Sequence, residues 1–467
     1  AQASVESLKR RAYSALVVPS KGRLLNSSGE VQLKDVRNAL SDAFTALLGD
    51  GSVVTWGDAG SGGDGSAVQE QLRDVKKIQA SAGAFAAILR DGSVVTWGNR
   101  HYGGDSSAVQ EQLRDVQQIQ ASHGAFAAIR GDGSVVTWGP AKYGGDSSAV
   151  QEQLRDVQQI QASYSAFAAI LGDGSVVTWG RAHDGGDSSA VQHQLKNVQQ
   201  MQASDDAFAA IRGDGSVVTW GNGRCGGNCS AVQGQLRDVQ QIRTSRAAFA
   251  AIRSDGSVVT WGPAGYGGDS SAVQEQLRDV QQIQASAEAF AAILRDGSVV
   301  TWGNAVCGGD SSAVQDQLRD VQQIQASYMA FAAILGDGSV VTWGAAAFGG
   351  DSSAVQEQLR DVQQIQASYM AFAAILGNGS VVTWGNADFP YGGNSRAVQE
   401  QLRGVQQIQA SDRAFAAIRS DGSVVTWGNA AFGGNSSTVL EQLRDMHRIQ
   451  AGNSDCAAIL RDESIVT

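Results

Sequence analysis

Cysteine is nearly absent from this chain, four in 467 residues, too few to hold a protein of that length together with disulfides. They assign it to no redox compartment. Proline is equally scarce, again four, against 57 glycines, a turn-rich composition but not that of a disordered linker. No apolar run approaches the ~20 residues needed to cross a bilayer, so membrane insertion is not expected. A basic excess is missing too. Lys and Arg number 35 against 46 Asp and Glu, a formal net charge of −11 with the acidic residues scattered. That argues against nucleic acid as a partner, because a phosphate backbone demands a basic surface. No signal-peptide pattern opens the chain, which begins AQASVESLKRR without Met. The expectation is a soluble, cytoplasmic protein, with an organelle protein stripped of a targeting peptide as the alternative.

Recognisable catalytic groupings are also lacking. The five histidines are His101, His123, His183, His193 and His447. His101 and His123 fall in neighbouring units and can approach each other, but a transition-metal site needs more ligands in fixed geometry. Cys225 and Cys229, in RCGGNCS, are four apart in one loop, a spacing that allows them to pair or to bind a soft metal, but no second pair supports them. Cys307 stands where Cys225 stands, two units on. Space-filling thiols are the reading for all three. The glycines of GNGRCGG are not followed by Gly-Lys-Ser/Thr or by a long helix, as a phosphate loop requires. No Ser–His–acid set or carboxylate pair stands apart from the repeated pattern. The expectation is a protein that is not an enzyme, with no catalytic residue, no cofactor and no metal ligand.

What is present is repetition. The octet DGSVVTWG recurs along the chain, and the ten tryptophans, Trp56 to Trp427, step by 41 residues except for a last step of 43. A second marker, AFAA, places phenylalanines from Phe44 to Phe415 at the same interval, and Cys456 takes the eleventh such place. A fixed period in this range means supersecondary units, none able to bury its own apolar face alone. AYSALVV near the start reads as a worn copy with Tyr13 in the Phe place. The domain reading is therefore an N-terminal segment, 1–35, holding a degenerate first hairpin that caps or closes the array, followed by eleven units over 36–467.

One unit reads as three antiparallel strands. VQQIQAS is extended, with Ile119 and Ala121 on one face and Val116 on the other. AFAAI is small and apolar, suited to close sheet packing. GDG is a hairpin signal, because Asp-Gly readily takes positive φ. SVVTW is β-branched and aromatic, with Val135 and Thr137 on one face and Val136 and Trp138 on the other. In the connection, Asp105 or Ser106 caps a short helix through SAVQEQL that buries Ala108, Val109 and Leu113 as a lid. The fold class expected is all-β: tandem three-stranded blades with short helical lids, arranged as a propeller-like large ring or an open superhelical array.

The phrase V..I.AS..AFAAI..DGSVVTWG....GG resembles the repeat of the regulator of chromosome condensation family, closest in period to its short bacterial β-lactamase-inhibitor type. The near-verbatim copies are also similar to repeat proteins of some single-celled algae. The likeness spans residues 36–467, ten successive units matching in order, hairpin and Trp-Gly. There are departures. The family's His-containing strand is AFAAI here, its N..GQ loop is GGDSS, and its usual ring of seven blades would leave much of this chain over. WD-repeats share a similar period but need four strands and a Gly-His element absent here.

Comparison of the copies exposes two variable windows in an otherwise constant unit. One is the pair before AFAA, such as His123-Gly124 or Tyr328-Met329. The other follows TWG, as in NRHY or PAKY. Because successive strands alternate in direction, both windows fall at the same blade end, and the constant Asp-Gly hairpin at the other. Loops gathered on one face of a rigid scaffold are where recognition usually lives. Aromatic and Met residues, enriched at interface cores, mark the candidate partner-binding set: Tyr102, Tyr143, Tyr164, Tyr266, Tyr328, Met329, Phe348, Tyr369, Met370, Tyr391 and Phe432. The rings before GG are equally suited to packing on the next blade. The expected function is a non-enzymatic protein-binding or scaffolding repeat protein. The alternative, implied by the family resemblance, is a regulator acting as a guanine-nucleotide exchange factor or a substrate-recognition module.

Overall fold

The structure is a computed structural model and describes residues 43–48, 50–387, 391–438 and 446–451. All of them belong to one compact unit, Asp35–Asp455. The expected N-terminal segment, its worn hairpin and Cys456 lie outside the described residues.

The third blade shows how a unit is built. Its strands are Val116–Ala121, Phe126–Arg130 and Val135–Trp138, hydrogen-bonded in that order. At the hairpin between the second and third strands, Gly133 at φ 75° donates to the Arg130 carbonyl, and Asp132 accepts from both the backbone and the hydroxyl of Ser134 at 3.0 and 2.6 Å. Register places Phe126 opposite Trp138 and Ala128 opposite Val136. The Phe126 and Trp138 rings stack with centroids 5.2 Å apart.

Two local expectations are corrected. Val116 pairs with Arg130 but Gln118 with Ile129, so a bulge interrupts the ladder. Asp115, just before it, sits at φ 54°, a left-handed conformation that Asp tolerates better than most residues. The extra residue turns Val116 onto the same core as Ile119 and Ala121, not onto the opposite face. The lid is a 3₁₀ helix, Ser107–Gln112. With three residues per turn it buries Leu113 and half of Val109 but leaves Ala108 exposed. Asp105 does receive the Ser107 N–H at 3.0 Å. Gln110 Nε2 ties the lid to the third strand of the preceding blade through the Val94 carbonyl at 2.8 Å.

Ten three-stranded sheets are described, none sharing a strand with another. They pack face to face. Val116, Ile119, Phe126, Ala128, Val136 and Trp138 of one blade lie on Ala84, Ala86, Ile88 and Val94 of the blade before. The alanines of the middle strand let the sheets approach. Each tryptophan is buried at the joint and donates its indole N–H to a glycine carbonyl of the preceding unit at 3.0–3.1 Å. That glycine carries no side chain for a steric reason: a Cβ on Gly103, at φ 89°, would stand 2.6 Å from the Phe126 ring.

The first blade is composite. Ala43–Leu48 and Val53–Gly57 are joined by Met446–Ala451 from the far end of the chain. This blade packs on the tenth, as Phe44 meets Ala414 and Ala416, and Trp56 reaches the Gly433 carbonyl at 3.0 Å. The succession of blade contacts therefore closes on itself, which the open array would not do.

Candidate functional site

The two variable windows meet, as strand alternation requires. In the second blade the Asn99 N–H donates to the Gly83 carbonyl at 2.8 Å, and the Ser81 hydroxyl to the Tyr102 carbonyl at 2.7 Å. A further feature was not legible. The first residue of each first window donates its N–H to its counterpart in the next unit, in sequence from Ala82 through His123, Tyr164, Asp205, Arg246, Ala287, Tyr328 and Tyr369 to Asp412, at 2.7–3.3 Å. Blades that are separate sheets elsewhere are thus tied at this end by a ladder of backbone hydrogen bonds, one per unit. Side chains 41 residues apart become direct neighbours.

The ladder sorts the candidate aromatics into clusters. His123 stacks on Tyr164 at 4.2 Å, and Tyr102 and Tyr143 lie against His123 at 5.4 and 5.3 Å. Tyr328 stacks on Tyr369 at 4.3 Å with Phe348 beside both. The Arg413 guanidinium lies 4.4 Å over Phe432 and 5.1 Å over Tyr391. Tyr164 is the most open of the set, 38% exposed, and the other ten are half-buried. Tyr102, Tyr143, Tyr266, Phe348 and Phe432 pack by one side on the interblade cores, as does Met329. These six support the face as well as line it. Of the two Tyr-Met pairs, the tyrosines form a continuous surface.

Variation in one window is compensated in the other, nineteen residues on. A Cβ on Gly83 would touch the Tyr102 ring at 3.0 Å, and one on Gly124 the Tyr143 ring at 2.5 Å. Where the second window offers a smaller Cys, the first supplies an acid: Cys225 Sγ lies 3.5 Å from Asp206, and Cys307 Sγ 3.8 Å from Glu288. Pairing the two windows within each unit would have exposed this signal in the sequence.

Burial and charge set the chemistry here. The Cys225 thiol is pushed up to about 12, by burial and then by Asp206, Asp205 and Asp184. Cys307 rises to about 11 through burial and Glu288. Both stay protonated at neutral pH, where thiolate reactivity is lost. Cys225, Cys229 and Cys307 are free. His101 is exposed, and Tyr102, not His101, meets His123. Between the clusters opens a cavity of about 640 Å³ walled by Tyr164, Asp184, Asp205, Asp206, Tyr328 and Tyr369 among others. Arg246 crosses it, donating to Asp205 at 3.0 Å and to the Tyr328 hydroxyl two units away at 2.7 Å.

No family model and no curated protein sequence matches the chain. Among solved structures, yeast RCC1 (Prp20) in complex with Kap60 is 15% identical with a TM-score of 0.36, covering 79% of this chain and 86% of that one. Prp20p from Saccharomyces cerevisiae, described with its binding to Gsp1p and histones, is 16% identical at a TM-score of 0.35, covering 77% and 83%. The computationally designed Ika8 protein is 14% identical at 0.31, covering 68% and 96%. Similarity this low leaves function to be argued from the site itself.

Proposed function

We propose that this protein is a non-enzymatic protein-binding scaffold, and that its partner docks on the blade end carrying the two variable windows. The backbone ladder carries this reading. It sets one varied side chain from each of nine consecutive units side by side, converting scattered sequence differences into one surface. The aromatic clusters and the cavity lie on that surface. Aromatic residues supply large contact area and dominate interface hot spots. The hairpin end, by contrast, repeats the same Asp-Gly-Ser turn with little change. The exchange-factor reading rests on family resemblance alone. Among the described residues no helix is long and apolar enough to cross a membrane.

The test replaces Tyr164, Tyr328 and Tyr369 together by Ser, and in a second variant Asp296 and Asp337 by Ser at the hairpins. Partners captured from native extract are cross-linked, identified and re-measured with purified components. The tyrosine variant is expected to lose more than about 1 kcal/mol of affinity per hot-spot residue with its melting temperature little changed, and the hairpin variant to bind normally. Equal loss from both variants would place the binding surface elsewhere.

A further inference from the structure

Three departures from the repeat coincide in space. The residue before Gly-Gly is Tyr or Phe in six units, Cys in two, and Ser61 in the first; only at Asp184 is it charged. His183 precedes it. Asp206, in the first window of the next unit, occupies a place filled by Gly, Ser, Ala or Met in most others, with an acid also at Glu288, but among the described residues only Asp206 has a His-Asp pair beside it. The fold brings these three together, so that one donor atom from each lies within 4.8 Å of the other two. His183 Nδ1 is 3.2 Å from Asp184 Oδ1. Asp184 is 2% exposed, yet it replaces a ring on the wall of the cavity. Among the described residues this is the one group of three such donors.

We infer that His183, Asp184 and Asp206 form a binding site for a divalent transition-metal ion. One imidazole nitrogen and two carboxylate oxygens suit a borderline cation such as Zn²⁺ or Co²⁺, not Ca²⁺, which takes six to eight oxygens. Two carboxylates neutralise the ion, and a neutral imidazole completes a three-ligand set of the kind that leaves further positions to water or to a bound group. All three residues line the cavity, so those positions face a space a ligand can enter. The neighbouring cations do not hold the site closed. Arg181 is 3.8 Å from Asp184 with its side chain 64% exposed, a long pair that a cation can displace. Arg246 is engaged by Asp205 and Tyr328. The site owes nothing to the partner reading and stands or falls separately.

The experiment titrates the full chain, freed of metal by chelator, with Co²⁺, following visible absorption and heat. One equivalent is expected to bind, with a ligand-field band, to be displaced by Zn²⁺, and to raise the melting temperature by mass action. Ca²⁺ is expected to do neither. His183→Ala and Asp206→Asn should each weaken Co²⁺ binding roughly tenfold or more, while His193→Ala, on an exposed lid, should leave it unchanged. Asp184→Asn tests the buried ligand; if that variant does not fold, the other two, at positions less buried, decide. Absence of saturable binding, or binding indifferent to His183→Ala and Asp206→Asn, overturns the assignment.

Discussion

His123 shows what the tertiary environment does to a single side chain. Its ring lies among Tyr102, Tyr143 and Tyr164, and its buried Nδ1 has no hydrogen-bond partner. Burial, and then the charge of Lys142, lower its pKa from 6.5 to about 4. The unfolded chain therefore takes up a proton at a higher pH than the folded one. The stability tied to the neutral ring is complete above about pH 6.5 and is lost as the pH falls through about 4. His123→Phe, which preserves a ring against Tyr164, should flatten this part of the acid-side decline in denaturation midpoints. An imidazole titration by NMR should find a midpoint near 4, and a value near 6.5 would show the ring to be in water. At the hairpins the residue scale explains a tolerated substitution. Asn378 accepts from Ser380, at 2.9 and 2.7 Å, the same two hydrogen bonds that Asp132 accepts from Ser134.

Each blade is tied to its neighbour by a buried, hydrogen-bonded joint. Trp220 is stacked on Phe208 at 5.2 Å, bonded to the Gly185 carbonyl at 3.0 Å, and packed against Ala166, Ala168 and Val176 of the previous blade. Trp220→Ala should cost about 3–5 kcal/mol in equilibrium denaturation. Trp220→Phe should cost less, since it keeps the stack and loses the N–H. Native fluorescence should be blue-shifted; an emission typical of water-exposed indole would contradict the joint. Hairpin, strand alternation and tryptophan burial were all legible in VVTWG and AFAA, because a period of two and Asp-Gly chemistry are local. The bulge at Val116 was not legible. It depends on Asp115 taking positive φ where the chain meets the Gly92 carbonyl of the preceding hairpin, a contact made by Val116 N–H at 2.8 Å.

The number of blades belongs to the whole molecule. Trp56 finds the Gly433 carbonyl only because nine joints in succession bring the tenth blade round to the first. Deleting one unit, Val198–Asp238, leaves every local signal intact but asks nine blades to close the same seam. Stability should fall abruptly, measured by thermal unfolding of the purified variant. A shorter particle with unchanged stability would show that the succession is open and tolerates any number of units.

The sequence by itself determined the unit: its period, its three strands, its hairpin, the buried tryptophan, and which end would carry the variation. These follow from residue type and spacing within 41 residues. Only the tertiary structure decided what the units do to one another. The seam joins Phe44 to Ala451, and the ladder sets Tyr328 against Tyr369. The coincidence of His183 and Asp184 with Asp206 arises in the same way. Each depends on distances between residues in different units, and those distances are set by how closely alanine faces let two sheets pack, a sum over many contacts that no single stretch of sequence contains.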